Sequence, residues 1–534
     1  MRNSSMKRAS EKGVTPFSCM HEWVNIKALL ILVLLVNTLI LACVIFSKYT
    51  LEGPPCSSNK VEDSFKISQG IASNERARKL NASHKIINGH HVALDEFVSP
   101  IDENVQVEHS SNIALSAEEP INVNNVSVIQ RQFKAVGSAA FVFVQFGAYR
   151  GADNGFAIVG LGSKPLHVYG NAEFRCEWEP AKIDGGGPSS SIEGQAKKFL
   201  PDWGLGRVYT VVVVNCTFKE GVGVDGQGGK LTLHATSNGM NMASFVAMDE
   251  TKNSYAANSA IFKSKNYTYD FLYCGSSLFG DINPQRIREW LAYHVRLMGP
   301  KSHFVFYDAG GVSPTVRQAL LKWQALGHVS IHDIREQAKF DGYYYNQFLV
   351  LNDCLHRTRF LAKWTFFFDV DEYLYVPPPT TLLNTMQMFS NYSQITIGQS
   401  FMSSKLCLPS PSSSTRGMWA FERLVFCNIK RGVRWDRKYA IQARNVLATG
   451  VHWSENIVGK TLHTKRSSIK YYHYHNTITI KTNSLCQEFV NCSCASPVAY
   501  SDEDPFQIDL GMQYFAHATK EFELQKIGPQ PFFE

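Results

Sequence analysis

Clustered charge is scarce in this sequence. A net charge of +7 over 534 residues is small. No run of lysine and arginine forms the footprint that nucleic acid demands, so a nucleic-acid partner is excluded. A P-loop is missing as well. One stretch, Gly221-Val-Gly223-Val-Asp-Gly226, matches a dinucleotide signature by letter. It lies between two strand-like runs, whereas such a site needs a helix after the glycines, so it reads as a loop. Among twelve cysteines there is no Cys-x-x-Cys pair. That favours disulfides over a zinc site at Cys486, Cys492 and Cys494.

Long apolar runs are also few, and the clearest is Ala28–Phe46. At about 1.5 Å per residue it just spans a hydrocarbon core of roughly 30 Å. A cleaved signal peptide competes with an anchor here. The run is long for a signal core, however, and no convincing small-x-small cleavage site follows it. Arg2, Lys7, Arg8, Lys12 and Lys27 precede it, against Glu11 and Glu22, which keeps the N-terminus cytosolic. The expectation is a type II membrane protein. Residues 1–27 form the tail, 28–46 the signal anchor, and the rest lies in the secretory lumen. Sequons at Asn81, Asn125, Asn215, Asn266, Asn391 and Asn491 all lie beyond the anchor. So do ten of the twelve cysteines, in a compartment that lets them pair.

Residues 47–130 are polar and aperiodic, which reads as a stem. Residues 131–265 hold short β-branched and aromatic runs separated by glycine-rich turns, which predicts an all-β sandwich. Tyr149, Tyr169, Trp178 and Trp203 in that segment are either sandwich core or sugar-stacking surfaces. From 266 to 534 strands alternate with helices. Asn283 and Pro284 open one helix, and strand-like runs occur at Tyr269–Tyr273, His303–Tyr307 and Val329–Ile334. This alternation predicts an α/β (Rossmann-like) domain with a mainly parallel sheet, whose ligands bind beyond the carboxyl ends of the strands.

One such end carries chemistry. The run Thr365-Phe-Phe-Phe368 stops in Asp369-Val370-Asp371-Glu372, with no lysine or arginine within five residues of either aspartate. In an extended segment residues i and i+2 point to one side, so Asp369 and Asp371 should converge. Paired carboxylates of this kind suit a hard ion, Mg²⁺ or Mn²⁺, that keeps positions open for phosphate oxygens. An acidic strand-to-turn transition is the plain alternative. Asp308 ends another strand and is either a ligand for ribose or uracil or an Asx-turn residue before Gly310. A lumenal α/β domain with such an acidic strand end fits a transferase that uses a nucleotide sugar. A Ca²⁺-binding anchored lectin is the rival from another class.

Several ordered motifs carry a resemblance. Tyr273-Cys274-Gly-Ser-Ser-Leu-Phe279, Glu289-Trp290, Phe306-Tyr307-Asp308, Gln347, Asn352-Asp353-Cys354-Leu355 and Phe368-Asp-Val-Asp-Glu-Tyr-Leu-Tyr-Val-Pro377 resemble glycosyltransferase family 92. The later Gly450-Val451-His452 and Tyr472-His473-Tyr474-His475 are similar to its two late histidine motifs. The second departs from the family pattern, which has arginine where His475 stands. With a β-rich domain ahead of the catalytic one, the chain is most similar to the family's plant β-1,4-galactan synthases. The resemblance implies a GT-A fold, inversion at the anomeric carbon, UDP-galactose as donor and Mn²⁺ (or Mg²⁺) as cofactor. It implies β-1,4-galactan side chains of the pectin rhamnogalacturonan I as acceptor. A Golgi membrane location and a homodimer are further family-based expectations. Asp369 and Asp371 map to the metal and diphosphate motif, and His473, with His452 as alternative, to the remaining metal ligand. Glu422 is the candidate catalytic base, lying between the metal motif and the late histidines. An ion pair with Arg423 or Arg431 is its alternative role. Within the family, transfer to protein-linked glycans is the competing activity.

Overall fold

The computed structural model describes residues 120–533 apart from 124–125, 138–140, 168, 183–189, 265, 341, 410–416, 431–436, 480–484, 491–497 and 500–504. The expected tail, anchor and most of the stem lie outside the described residues. So do Asn81, Asn125, Asn491, Cys56, Cys492, Cys494 and Arg431. Among the described residues no helix is long and apolar enough to cross a membrane.

The N-terminal strands run Lys134–Val136, Phe143–Ala152, Gly155–Ser163, Glu173–Pro180, Ile192–Phe199, Tyr209–Thr217, Gly229–Ser237 and Met240–Glu250. They form one antiparallel sheet. Ile192–Phe199 pairs with both Glu173–Pro180 and Tyr209–Thr217 and so joins two halves that lie face to face. Phe143, Phe156, Ile158, Val212 and Val214 from one half meet Trp178, Leu231 and Leu233 from the other. The Cys176–Cys216 disulfide crosses this core. The run Val211–Val214 is buried on both faces, because alternate residues enter two different cores. Val212 and Val214 point inward to the first, while Val211 and Val213 join a second, shared core.

That second core reaches the α/β part. Five parallel strands stand in the order Val126–Gln130, Val329–Asp333, Ser302–Asp308, Tyr269–Leu278, Ala362–Phe367. Beyond them Arg437–Ile441 is antiparallel and is followed by Gln394–Phe401, Lys470–His473 and Glu372–Tyr375. The sheet is therefore mixed where a mainly parallel one was expected, because Arg437–Ile441 enters antiparallel to both its neighbours and Glu372–Tyr375 antiparallel to Lys470–His473. The first strand comes from the segment read as stem. Only five residues long, it pairs with a strand some two hundred residues later, so it shows no local period.

Helices Pro284–Met298 and Pro314–Ala325 begin where the sequence signals them. The Asn283 side chain accepts from the Gln285 and Arg286 amides, and Ser313 accepts from Val316. Together with Gln513–Ile527 they cover one face of the sheet. The other face is covered by helix Gln347–Arg357, tied to the sheet by the Cys274–Cys354 disulfide, and by the N-terminal strands themselves. A buried ionic network locks this contact. Asp353 accepts from Arg131 (2.8 Å), Tyr307 (2.6 Å), Arg357 (3.2 Å) and the Tyr149 hydroxyl.

Candidate active site

Counted from Tyr269–Leu278, the four later parallel strands run 3-2-1-4 in chain order, so the direction of winding reverses between Tyr269–Leu278 and Ala362–Phe367. A crevice opens outside the carboxyl ends at such a point. Asp369 lies two residues past that end. Residues 369–371 form a turn and not an extended segment, since the Glu372 amide bonds back to the Asp369 carbonyl at 3.1 Å. The two aspartates consequently take different partners.

Asp369 receives Lys438 Nζ at 2.7 Å and Gln347 Nε2 at 3.2 Å. Burial would raise its pKa, but Lys438 and a Ser276 hydrogen bond outweigh that and hold the carboxyl below its usual range. Lys438 also lies 3.8 Å from Glu372. Despite burial, these carboxylates keep its ammonium pKa above the ordinary lysine value. The cation that local sequence lacked thus comes from a strand 69 residues away. No signal near Asp369 could have revealed it.

Asp371 instead faces His473, with Nε2 3.6 Å from Oδ1. The register that pairs Glu372 with His473 puts them together. Burial pushes the His473 imidazole down, but Asp371, Glu372 and Asp369 outweigh it and leave the pKa raised. Gln399 bonds its other nitrogen at 2.7 Å. Glu372 is buried, which lifts its carboxyl to about 7 even beside Lys438.

Among the described residues no three side chains of His, Cys, Asp or Glu form a ready metal cage. A carboxylate and an imidazole turned toward one another nevertheless fit Mn²⁺ or Mg²⁺. Such sites usually take one or two protein carboxylates and complete their shell with phosphates and water. Asp371 and His473 are the residues that suit the ion. His452 lines the same cleft but bonds the Arg437 carbonyl through Nδ1 at 3.0 Å.

The cleft measures about 650 Å³, and its lining includes Asp369, Glu372, Lys438, His473 and His475. Tyr343, Tyr344 and Phe348 add aromatic surface. Tyr344, Tyr345 and Asn346 are successive left-handed residues with φ of 50, 54 and 58°. At the two tyrosines this costs roughly 1–2 kcal/mol each, whereas asparagine tolerates it. Offsetting contacts are the stack of Tyr345 on Phe279 at 3.9 Å, the Ser277 hydroxyl on the Tyr345 carbonyl, and Asn346 on Gln337. The strained turn delivers Gln347 to Asp369 and Tyr344 to the cleft.

Three sequence-based expectations are corrected here. Glu422 does not line the cleft. Its carboxylate caps the short helix Ala420–Arg423 by accepting from the Trp419 amide at 2.5 Å, and it pairs with Lys520. The helix-start geometry consumes the charge intended for a base, and the pairing partner is neither Arg423 nor Arg431. Asp308 ends its strand as expected but spends Oδ1 on the Gly310 and Val312 amides, at 2.8 and 3.1 Å. It is an Asx-turn residue. Trp178 is wholly buried in the sandwich core and Tyr149 is bound into the Asp353 network, so neither offers a face to sugar. Trp203 does, being 52% exposed and on the cleft wall.

Comparison with known proteins agrees with the motifs. The glycosyltransferase family 92 model matches residues 269–497. Galactan beta-1,4-galactosyltransferase GALS1 of Arabidopsis thaliana is 50% identical over 401 residues, 75% of this chain and 79% of the relative. GALS3, with the same description and organism, is 45% identical over 436 residues, 80% of this chain and 84% of the relative. Beta-1,4-galactosyltransferase galt-1 of Caenorhabditis elegans is 22% identical over 214 residues, 39% of this chain and 48% of its own length. Ordered motifs and matches of this extent lead to one conclusion: the chain belongs to glycosyltransferase family 92.

Proposed function

We propose that this chain is a galactan β-1,4-galactosyltransferase that transfers galactose, with inversion, from UDP-galactose to β-1,4-galactan side chains of pectin. Identity of 45–50% to relatives of that description supports the acceptor and linkage. The observation that carries the chemistry is the Asp371–His473 pair beside a Lys438-compensated Asp369, at the switch point of the sheet. The 3-2-1-4 order of the four parallel strands from Tyr269 onward supports a GT-A arrangement. A basic N-terminal flank, the apolar run 28–46 and the disulfides support a Golgi type II protein with its catalytic part in the lumen.

A divalent ion, Mn²⁺ by preference, would neutralise the diphosphate as UDP departs, and Asp371 and His473 would hold it. Lys438 keeps Asp369 ionised, so that carboxylate remains an acceptor for donor hydroxyls. Gln399 bonds His473 Nδ1 and so holds the angle of the ring, leaving Nε2 turned toward Asp371. Tyr343, Tyr344 and Phe348 present apolar surface that excludes water from the activated sugar.

Radiolabelled UDP-galactose offered with galactan oligomers and glycoproteins as competing acceptors tests the reading. Label should enter the galactan oligomers. Incorporation into glycoproteins alone, or glycan binding without turnover, would overturn it.

A further inference from the structure

The N-terminal sheet contributes to the catalytic cleft itself. Its loop after Phe199 carries Asp202, Trp203 and Leu205 into the same lining as Asp369 and His473. Asp202 is 3% exposed and ties the loop to the next strand, accepting from the Gly204 and Val211 amides and the Thr210 hydroxyl. Trp203 has φ of +55° and Gly204 of +75°, so two left-handed residues project the indole outward. The indole N–H is already used, donating to Glu455 Oε2 at 3.0 Å. What remains free is ring surface, 52% exposed. Leaving so much apolar area in contact with water forgoes the stabilisation that a covering ligand would supply.

Trp203 is not alone. Its ring stands 6.1 Å from Phe348, Phe348 is 6.1 Å from Tyr343, and Tyr343 is 6.2 Å from Tyr344. Tyr343 and Tyr344 are themselves 49% and 54% exposed. The far end of the row feels the acidic motif, since Asp369 and Asp371, after burial, raise the Tyr344 hydroxyl. A row of rings therefore leads from the N-terminal loop to the reaction centre. A chain of β-linked galactose suits it, because the axial 4-hydroxyl leaves one face of each ring built from C–H bonds.

We propose that Trp203 is the stacking platform of a distal acceptor subsite, binding a sugar ring of the oligosaccharide several units from its growing end. This deepens the galactan reading and rests on it. The N-terminal sheet then acts as part of the active-site wall.

The test compares a galactose disaccharide with a pentasaccharide as acceptors for the full chain and its variants. Trp203→Asn tolerates the left-handed backbone and removes the ring, while Trp203→Phe keeps a ring without the Glu455 bond. Trp203→Asn should raise KM for the pentasaccharide roughly three- to tenfold, the scale of one aromatic contact. Its disaccharide KM, UDP-galactose KM and unfolding temperature should stay the same, and Trp203→Phe should recover most of the loss. Equal losses on both acceptors, no loss on either, or a Phe variant no better than Asn would overturn the subsite. If the wild type transfers to neither galactan acceptor, the functional reading fails first and separately.

Discussion

Replacing Arg131 with methionine should uncouple the N-terminal sheet from helix Gln347–Arg357. Arg131 and Asp353 are 1% and 0% exposed and 2.8 Å apart. The same guanidinium donates to the Phe146 carbonyl at 2.8 Å and sits 4.5 Å from the Phe146 ring centroid. Methionine retains most of the packing volume but strands a buried carboxylate. Breaking one side of such a pair costs about 3–5 kcal/mol. Arg357 and two phenols still reach Asp353, so the lower end, about 3 kcal/mol, is expected. The loss must also depend on pH. Burial raises the Asp353 pKa above its ordinary value, and Arg131 with the Tyr149 and Tyr307 hydrogen bonds pulls it back. Without Arg131 it rises further, so the folded variant keeps a proton that the unfolded chain sheds. Stability then falls as pH rises above the ordinary aspartate range. Urea unfolding should show a small deficit near pH 4 and the full deficit at pH 7. A deficit under about 1 kcal/mol, or one equal at both pH values, would refute the buried-charge account.

Three further outcomes follow from the site and its supports. Asp371→Asn should cut transfer roughly a hundred- to thousandfold with an unchanged melting profile, and chelation of the wild type should mimic it. Full activity in either case, assayed with UDP-galactose, would remove the metal role. Glu422→Gln should leave kcat within about twofold while costing about 1 kcal/mol in denaturant unfolding, the scale of a helix cap. A collapse of kcat in a stable variant would reinstate it as a base. Cys274→Ser opens a link across 80 residues, and loop entropy puts the cost at about 4.5 kcal/mol, readable from urea midpoints against the disulfide-intact wild type.

Much of the architecture was legible because its signals are local. Asn283-Pro284 and Ser313-Pro314 mark helix starts by side-chain capping, which needs only neighbours in sequence. The aromatic run into Asp369 marks a buried strand reaching its end. What escaped notice depends on partners far along the chain. Lys438 neutralises Asp369 from another strand, Lys520 claims Glu422 from the C-terminal helix, and Val126–Gln130 joins the parallel sheet through Val329–Asp333. The turn at Asp369–Asp371 also defeated the alternation rule, which holds only while the backbone stays extended. Trp178 and Trp203 look alike in sequence. Only tertiary packing buries one and leaves the other facing the cleft.

The strand Val126–Gln130, which joins the outer strand Pro120–Val123 to the parallel sheet, has a consequence for how the protein is made. It leaves the ribosome before nearly all of the fold, yet its neighbour Val329–Asp333 follows roughly 200 residues later. At about 5–20 residues per second, that neighbour is synthesised some 10–40 s afterwards. Through that interval the N-terminal sheet can close on its own core and its Cys176–Cys216 bond, while the pair Pro120–Val123 and Val126–Gln130 has only itself to bond with and no parallel sheet to dock on. Nascent chains stalled between residues 250 and 330 should therefore be the species that chaperones hold.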